Sequence, residues 1–534
     1  MTSKRKRPVF LFAFFLIAFL LPSCTYERKQ TVQTTQVSQT TPTPTPTLTE
    51  QVVRGKSGDL RIGWPNRENL NPLLETTAAG RAVYDLIYRG LFRIDADERV
   101  RPDLASNLIV SDGGRQILIA LQEGLTFHDQ SPLTAEDVAA VLLYLMEPDC
   151  CSIWRYGLES VSEVRVLDER VLEMTLDQSD PWLPYALTFP IIPEERITSS
   201  DFEPIPGTGD FFIESYDPNN GLILKTAERA SDEALSTLVV REYESQRKAM
   251  QAFERDELDL VFLDTQMLYY YKVRSHLRMD FFTGNELFFL SCNTNEDRPL
   301  SDSEALLAVK YILKDLKTKG DAFLGWAEPT SLGISSSSWL CQGESGAEPV
   351  YKEQAEPIER DRTLTFILPG WDPRRTQLAE AINDAFAQKG VSLTVNSLDQ
   401  EQFQLALQEG QYDLAFLSAL LPDKPEPGFF IREPAPSEFS ELDQIRPEGE
   451  GLEGARQWRE RWQQLLPAER MSKGESNVNP DWLHALTEAV NRSPFECLCL
   501  PYMGLVYGQR VSGQCQPNRY HPYENMKELW VWSG

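Results

Sequence analysis

Leu125-Thr126-Phe127-His128-Asp129-Gln130-Ser131-Pro132-Leu133-Thr134-Ala135-Glu136-Asp137-Val138 is the stretch from which this 534-residue chain is best read. Its second half predicts a helix start. Thr134 is followed three residues on by Asp137, close to a capping box, with Asp where Glu is preferred. Val138, Val141, Leu142 and Leu145 then recur at i, i+3, i+4 and i+7, so one face of the helix is apolar and packs inward. Alternating segments flank that helix. Residues 107–110 and 116–121 surround Ser111-Asp112-Gly113-Gly114-Arg115, and Val164/Val166 and Leu172/Met174/Leu176 surround Asp168-Glu169-Arg170. Period-two alternation across such turns predicts two hairpins.

Upstream, Leu60-Arg61-Ile62-Gly63-Trp64 reads as a strand, Asn69-Leu70-Asn71-Pro72 as a loop, and residues 82–91 as an apolar helix. Downstream, one pattern occurs twice. A strand at 238–240 leads to a helix carrying Ala249, Met250 and Phe253, then to the strand Asp259-Leu260-Val261-Phe262-Leu263-Asp264. A strand at 364–368 leads to a helix with Leu378, Ile382 and Phe386, a strand at 391–395, a helix with Phe403, Leu405 and Leu407, and the strand Asp413-Leu414-Ala415-Phe416-Leu417-Ser418. Both are strand-helix-strand crossovers. Two separate α/β units imply two facing lobes, with ligands beyond the carboxyl ends of their strands, where Asp264 and Ser418 fall.

The N-terminus reads differently. Lys4 to Arg7 are basic, residues 9–21 form a 13-residue apolar run, and Leu21-Pro22-Ser23-Cys24 follows. That is the grammar of a signal peptide, with a short single span as the alternative, since a bilayer takes about 20 apolar residues. Residues 25–50 hold ten threonines and three prolines and cannot support a core, so 24–54 reads as a tether. The chain carries 52 Lys+Arg and 80 Asp+Glu, a net charge of −28. Such a surface repels phosphate backbones, and nucleic acid is not an expected partner. Beyond Cys24 seven cysteines remain, an odd number that leaves at least one thiol unpaired.

The opening stretch resembles the solute-binding protein family 5 of ABC importers, whose members bind dipeptides, oligopeptides or nickel. The family pattern is F-H-D-G-x-P-L-T-A-E-D-V, and Gln130 replaces its glycine. Gly207-Thr208-Gly209-Asp210-Phe211 resembles the family's G-T-G-P-Y, Asn293-Thr294 with Pro299 its N-T-x-x-x-P, and Gly390-Val391 with Tyr412-Asp413-Leu414 its second-lobe pattern. The ordered series covers residues 58–534. Leu21 to Cys24 resembles the bacterial lipobox, which implies removal of residues 1–23 and lipidation of Cys24.

The resemblance implies an α/β, bilobal periplasmic-binding-protein-like fold of the large class II type with an extra small inserted domain. Lobe one would comprise 55–80, 201–285 and 500–534, the insert 81–200, and lobe two 286–499. It implies a monomeric substrate-binding lipoprotein in the cell envelope, facing periplasm or exterior, that captures peptides or a similar small solute and delivers it to a membrane permease. No catalysis and no cofactor is expected. Family peptide binders continue Y-D-L with G-W-x-x-D, whose tryptophan walls the pocket and whose aspartate pairs with the peptide amine. Here Ser418-Ala419-Leu420-Leu421-Pro422-Asp423 stands instead. Asp423 serves as the amine partner if the loop bulges by one residue, and is otherwise an exposed turn aspartate. Ser418, Leu420, Asn293 and Asp264 complete the expected ligand site.

Rival chemistries find little support. Lys56-Ser57 follows a glycine, but a phosphate loop needs glycine where Glu50 stands. No His-Glu-x-x-His or Gly-x-Ser-x-Gly occurs. His128, His276, His484 and His521 are too scattered to suggest a metal site, although a metal chelate held by its organic part stays open. A receptor or scaffold with a degenerate pocket is the remaining alternative.

Overall fold

The computed structural model describes residues 56–57, 59–65, 70–198, 204–217, 221–227, 235–272, 277–341, 363–421, 423 and 493–532. The expected signal segment, Cys24 and the tether lie outside them, as do His276, His484 and the polar stretches 447–454 and 471–479. No described helix is long and apolar enough to cross a membrane.

One strand, Phe495–Tyr507, joins two halves. Its first part pairs antiparallel with Glu286–Cys292, and its last residues pair with Leu260–Leu263 and Arg278–Thr283. Pro501 sits at the change of partner and has no N–H to contribute to a ladder. Its carbonyl accepts from Gly284 N at 2.9 Å. A Cβ on Gly284 would lie 2.6 Å from that oxygen, so the second connection between the halves needs glycine.

On one side of the shared strand the order runs through Leu260–Leu263, Asp59–Pro65, Thr237–Tyr243, Gly221–Thr226 and Phe211–Asp217. On the other it runs through Glu286–Cys292, Leu414–Leu420, Thr363–Pro369 and Ser392–Leu398. Both crossovers expected from the apolar periods are present, with parallel ladders between Thr237–Tyr243 and Asp59–Pro65 and between Thr363–Pro369 and its two neighbours.

Each half has its own buried core on both sheet faces. In the second, Phe288, Phe366 and Phe416 pack under helices Ser303–Lys319 and Pro373–Gln388, while Ala415, Leu417 and Phe289 pack under Gln400–Gln408. That last helix buries Phe403, Ala406 and Leu407, a helical spacing, and leaves Leu405, the other apolar residue expected on it, exposed. In the first half, helices Gln246–Glu254 and Thr265–Tyr271 cover one face. The opposite core runs on into the small four-stranded sheet of Ala105–Ser111, Gln116–Leu121, Val171–Leu176 and Val161–Asp168.

Helix Ala135–Met146 begins as its sequence predicts. Glu136 N donates to Thr134 Oγ1 at 3.3 Å and Thr134 N to Asp137 Oδ2 at 2.9 Å. The other Asp137 oxygen accepts from Glu194 N. The preceding His128 is structural: Nε2 donates to Gly209 O at 3.0 Å, and Nδ1 accepts from Gly207 N at 3.3 Å. Burial lowers its pKa and keeps the imidazole neutral. Gln130, where the resembled motif has glycine, takes a left-handed φ of 71°.

The apolar helix expected at 82–91 is Ala78–Asp85. It starts early because Thr77 Oγ1 caps Gly80 N. It stops early because the carbonyls of Leu86 and Ile87 accept from Phe211, Thr208 and Gly209 instead of from a further turn. All seven described cysteines are free thiols.

Candidate functional site

A cavity of about 490 Å³ opens beside helix Ala78–Asp85, within the range of roughly 300 to 1,000 Å³ typical of small-molecule sites. The helix, the chain after it as far as Ile94, and the C-terminal segment 519–527 form most of its wall. Asn285 and Asp423 complete the described wall from the side of the second sheet.

The cavity is lined by charge, most of it paired. Arg89 Nε donates to Asp103 Oδ1 at 2.9 Å, and Arg93 Nη2 to Glu524 Oε2 at 2.7 Å. Lys527 lies 3.0 Å from Asp210, and Arg519 3.5 Å from Glu98. His521 Nδ1 is 2.8 Å from Asp85 Oδ1. Burial disfavours the imidazolium, but the Asp85 carboxylate outweighs it and holds the His521 pKa above the ordinary histidine value. Two charged lining residues, Arg81 and Asp423, have no ion-pair partner among the described residues. Asp423 is fixed through its backbone: its carbonyl accepts from the Tyr520 hydroxyl at 2.8 Å and from Arg519 at 3.4 Å. Burial keeps that phenol protonated and able to donate.

The residues expected at the ligand site are not all brought together. Asp423 lines the cavity. Ser418 and Leu420 stand at the carboxyl end of strand Leu414–Leu420, Leu420 exposed, but neither is in the cavity wall. Asp264 is a helix cap: its Oδ1 accepts from Met267 N at 2.8 Å, and burial raises its pKa. It sits where the halves meet, beside Thr265, to which Arg374 Nη1 donates at 2.9 Å while also binding Glu286 at 2.6 Å. Asn293 is a correction. It follows Cys292, which pairs with Leu414, whereas Leu420 pairs with Glu286. Six residues of strand, roughly 20 Å, therefore separate Asn293 from Leu420. Its amide is used up on Gly410 O at 3.0 Å and Tyr412 O at 2.9 Å, in a buried loop junction.

Of the lining residues only Asp423 was expected, and Arg81, Tyr520 and His521 are among those that sequence reading missed. The signal for Arg81 was present: Ala78, Arg81, Ala82 and Asp85 fall on one helical face. No local pattern brings residues 519–521 to that helix. Among the described residues no cluster of histidine, cysteine and acidic side chains could hold a metal ion.

Comparison with known proteins yields a match to the model of the bacterial extracellular solute-binding proteins, family 5 middle region, over residues 99–435. The probable deoxycholate-binding periplasmic protein YgiS of Escherichia coli (strain K12) is 25% identical over 223 residues, 36% of this chain and 42% of that one. The chain thus aligns with less than half of that relative's length. Among solved structures, the ABC transporter substrate-binding protein CtaP from Listeria monocytogenes superposes with a TM-score of 0.65 at 18% identity, covering 89% of this chain and 100% of that one. The periplasmic murein tripeptide-binding protein MppA in its unliganded open form gives 0.68 at 13% identity, covering 90% and 99%. At these identities the likeness establishes the two-lobed α/β fold.

Proposed function

The chain belongs to family 5 of the bacterial extracellular solute-binding proteins, and from that premise we propose that it captures a peptide or similar small solute in the cavity beside helix Ala78–Asp85 and delivers it to an ABC permease. Membership makes it a solute-binding protein of an importer and not an enzyme. The observation that carries the finer reading is the placement of Asp423. This carboxylate follows the Tyr412-Asp413-Leu414 strand, reaches the cavity from the second sheet, and faces a wall built by the first half.

A ligand held by Asp423 on one side and by the 519–527 segment on the other would tie the two halves together. Two backbone connections, the shared strand and the Gly284-Asn285 crossing, meet near the Arg374–Glu286–Thr265 contact and would serve as the hinge. The closed form is then stabilised by contacts from both lobes, and the permease reads that closure. Lipidation at Cys24 would keep the protein at the membrane, two or three acyl chains contributing about 0.8 kcal/mol per buried CH₂. The solutes named for YgiS and MppA, deoxycholate and a murein tripeptide, mark the ligand class as small organic molecules.

Calorimetry against short peptides tests this. Asp423→Ala is expected to weaken peptide binding at least tenfold, about 1.4 kcal/mol. Unchanged affinity removes Asp423 from the site. Native mass spectrometry that finds no solute on the protein from its own host, together with no peptide binding, favours the receptor reading.

A further inference from the structure

Helix Ala78–Asp85 turns one face to the cavity, and residues 78, 81, 82 and 85 all line it. Ala78 and Ala82 are small and leave room around Arg81. Asp85 lies one turn on, at the spacing where an arginine and an aspartate neutralise each other. Its Oδ1 is engaged instead by His521 Nδ1 at 2.8 Å. Arg81 therefore keeps its charge without an ion-pair partner among the described residues, and its Nε is buried without a hydrogen bond. Holding a guanidinium in a partly dry wall without an acceptor costs free energy that an entering anion would recover.

We propose that Arg81 is the anion receptor of the cavity, and that the captured solute presents a carboxylate to it. The proposal rests on reading this cavity as the solute site. A singly charged carboxylate matches Arg81, because the other guanidinium and ammonium groups of the wall, Arg89, Arg93, Arg519 and Lys527, already face Asp103, Glu524, Glu98 and Asp210. A phosphate, which carries close to two negative charges, would be only half offset by that one guanidinium. Asp423 is the other charge of the wall without an ion pair among the described residues, with Arg519 as its charged neighbour. With the ion pairs set aside, the cavity offers one positive and one negative group, the complement of a solute that carries a free amine and a free carboxylate.

The probes are a peptic digest of casein, the same digest with its carboxyl groups amidated, and 5-aminopentanoate, which carries one amine and one carboxylate. Mass spectrometry of what the protein retains through gel filtration reads the digests, and thermal melting reads 5-aminopentanoate. The unmodified protein is expected to retain native peptides at least tenfold better than amidated ones. Arg81→Gln should abolish that difference, Arg81→Lys should keep part of it, and the rise in melting temperature induced by 5-aminopentanoate should vanish in Arg81→Gln. Equal retention of both digests by the unmodified protein overturns the assignment while leaving the peptide reading intact. If neither digest is retained, the peptide reading fails and 5-aminopentanoate alone decides. A melting shift lost in Arg81→Gln then upholds Arg81 as the anion receptor, and no shift, or the same shift in both proteins, overturns it.

Discussion

Glu496 and Arg81 are two ways of placing charge inside one protein, and the difference between them separates structure from function. Glu496 lies on the shared strand in the interior of the second half. Its Oε2 accepts from Lys310 at 3.0 Å, its Oε1 from Lys317, and the two ammonium groups also reach the carbonyls of Phe495 and Cys497. Burial alone would raise the Glu496 pKa, but the two lysines outweigh it and hold the carboxyl below the usual range. Every partner is supplied from within, so nothing is left to bind. The cavity around Arg81 is also charged, yet among the described residues Arg81 and Asp423 have no ion pair. A closed network fixes a helix to a strand, whereas an open one awaits a guest.

The comparison breaks most visibly at Glu496. Glu496→Gln leaves two buried lysines facing a neutral amide and is expected to destabilise the fold by roughly 3 to 5 kcal/mol. Urea denaturation measures it. A loss below about 1 kcal/mol would mean that the lysines reach water and that the network is not closed. Because the folded pKa is depressed, the contribution of Glu496 is present above its unfolded value near pH 4.3 and fades as pH falls through the folded one.

His521 sharpens the contrast from the cavity side. Asp85 on the helix faces it, as do Arg93 from strand Phe92–Ile94 and Glu524 from its own segment. Its folded pKa lies above the unfolded value, so its stabilisation is fully present below about pH 6.5 and is lost as pH rises through the folded pKa. His521→Asn should cost roughly 1.5 to 3 kcal/mol at pH 5.5, the scale of a hydrogen bond to a charged group. The gap in melting temperature from the unmodified protein should narrow above pH 7. A gap independent of pH would show that His521 is neutral in the fold.

The smallest effect is expected at Gln130, in neither charged region. A left-handed backbone costs an L-residue about 1 to 2 kcal/mol relative to glycine, so Gln130→Gly should stabilise the fold by about 1 kcal/mol after glycine's own entropy is counted. No change in the denaturation midpoint would mean that the Gln130 side chain makes a contact of equal worth.

The fold was legible because its signals are local or periodic. The Thr134–Asp137 cap, the two crossovers and the hairpins each follow from residues within a few turns of one another. Where the expectation failed, long-range bonds decided. The carbonyls of Leu86 and Ile87 were claimed by residues 208–211, which ended a helix that apolar content would have continued. The site was less legible for the same reason. Asp423 could be picked out because it trails a recognisable strand. His521 reaches Asp85 from 436 residues away, and no pattern in either segment announces the meeting. Asn293 shows the reverse error: a motif residue mistaken for a ligand contact when its amide ties two loops together.

The shared strand also constrains how the molecule comes into being. Phe495–Tyr507 supplies a central ladder to both halves, yet it is made more than 200 residues after the strands Leu260–Leu263 and Glu286–Cys292 that it joins. Until then Glu286–Cys292 and Leu260–Leu263 each present an open edge to the ribosome's surroundings, and neither lobe can complete its core ahead of the other. A nascent chain of this design stays unfinished until that strand emerges, and one truncated before residue 495 would be left with two sticky edges and a strong tendency to aggregate.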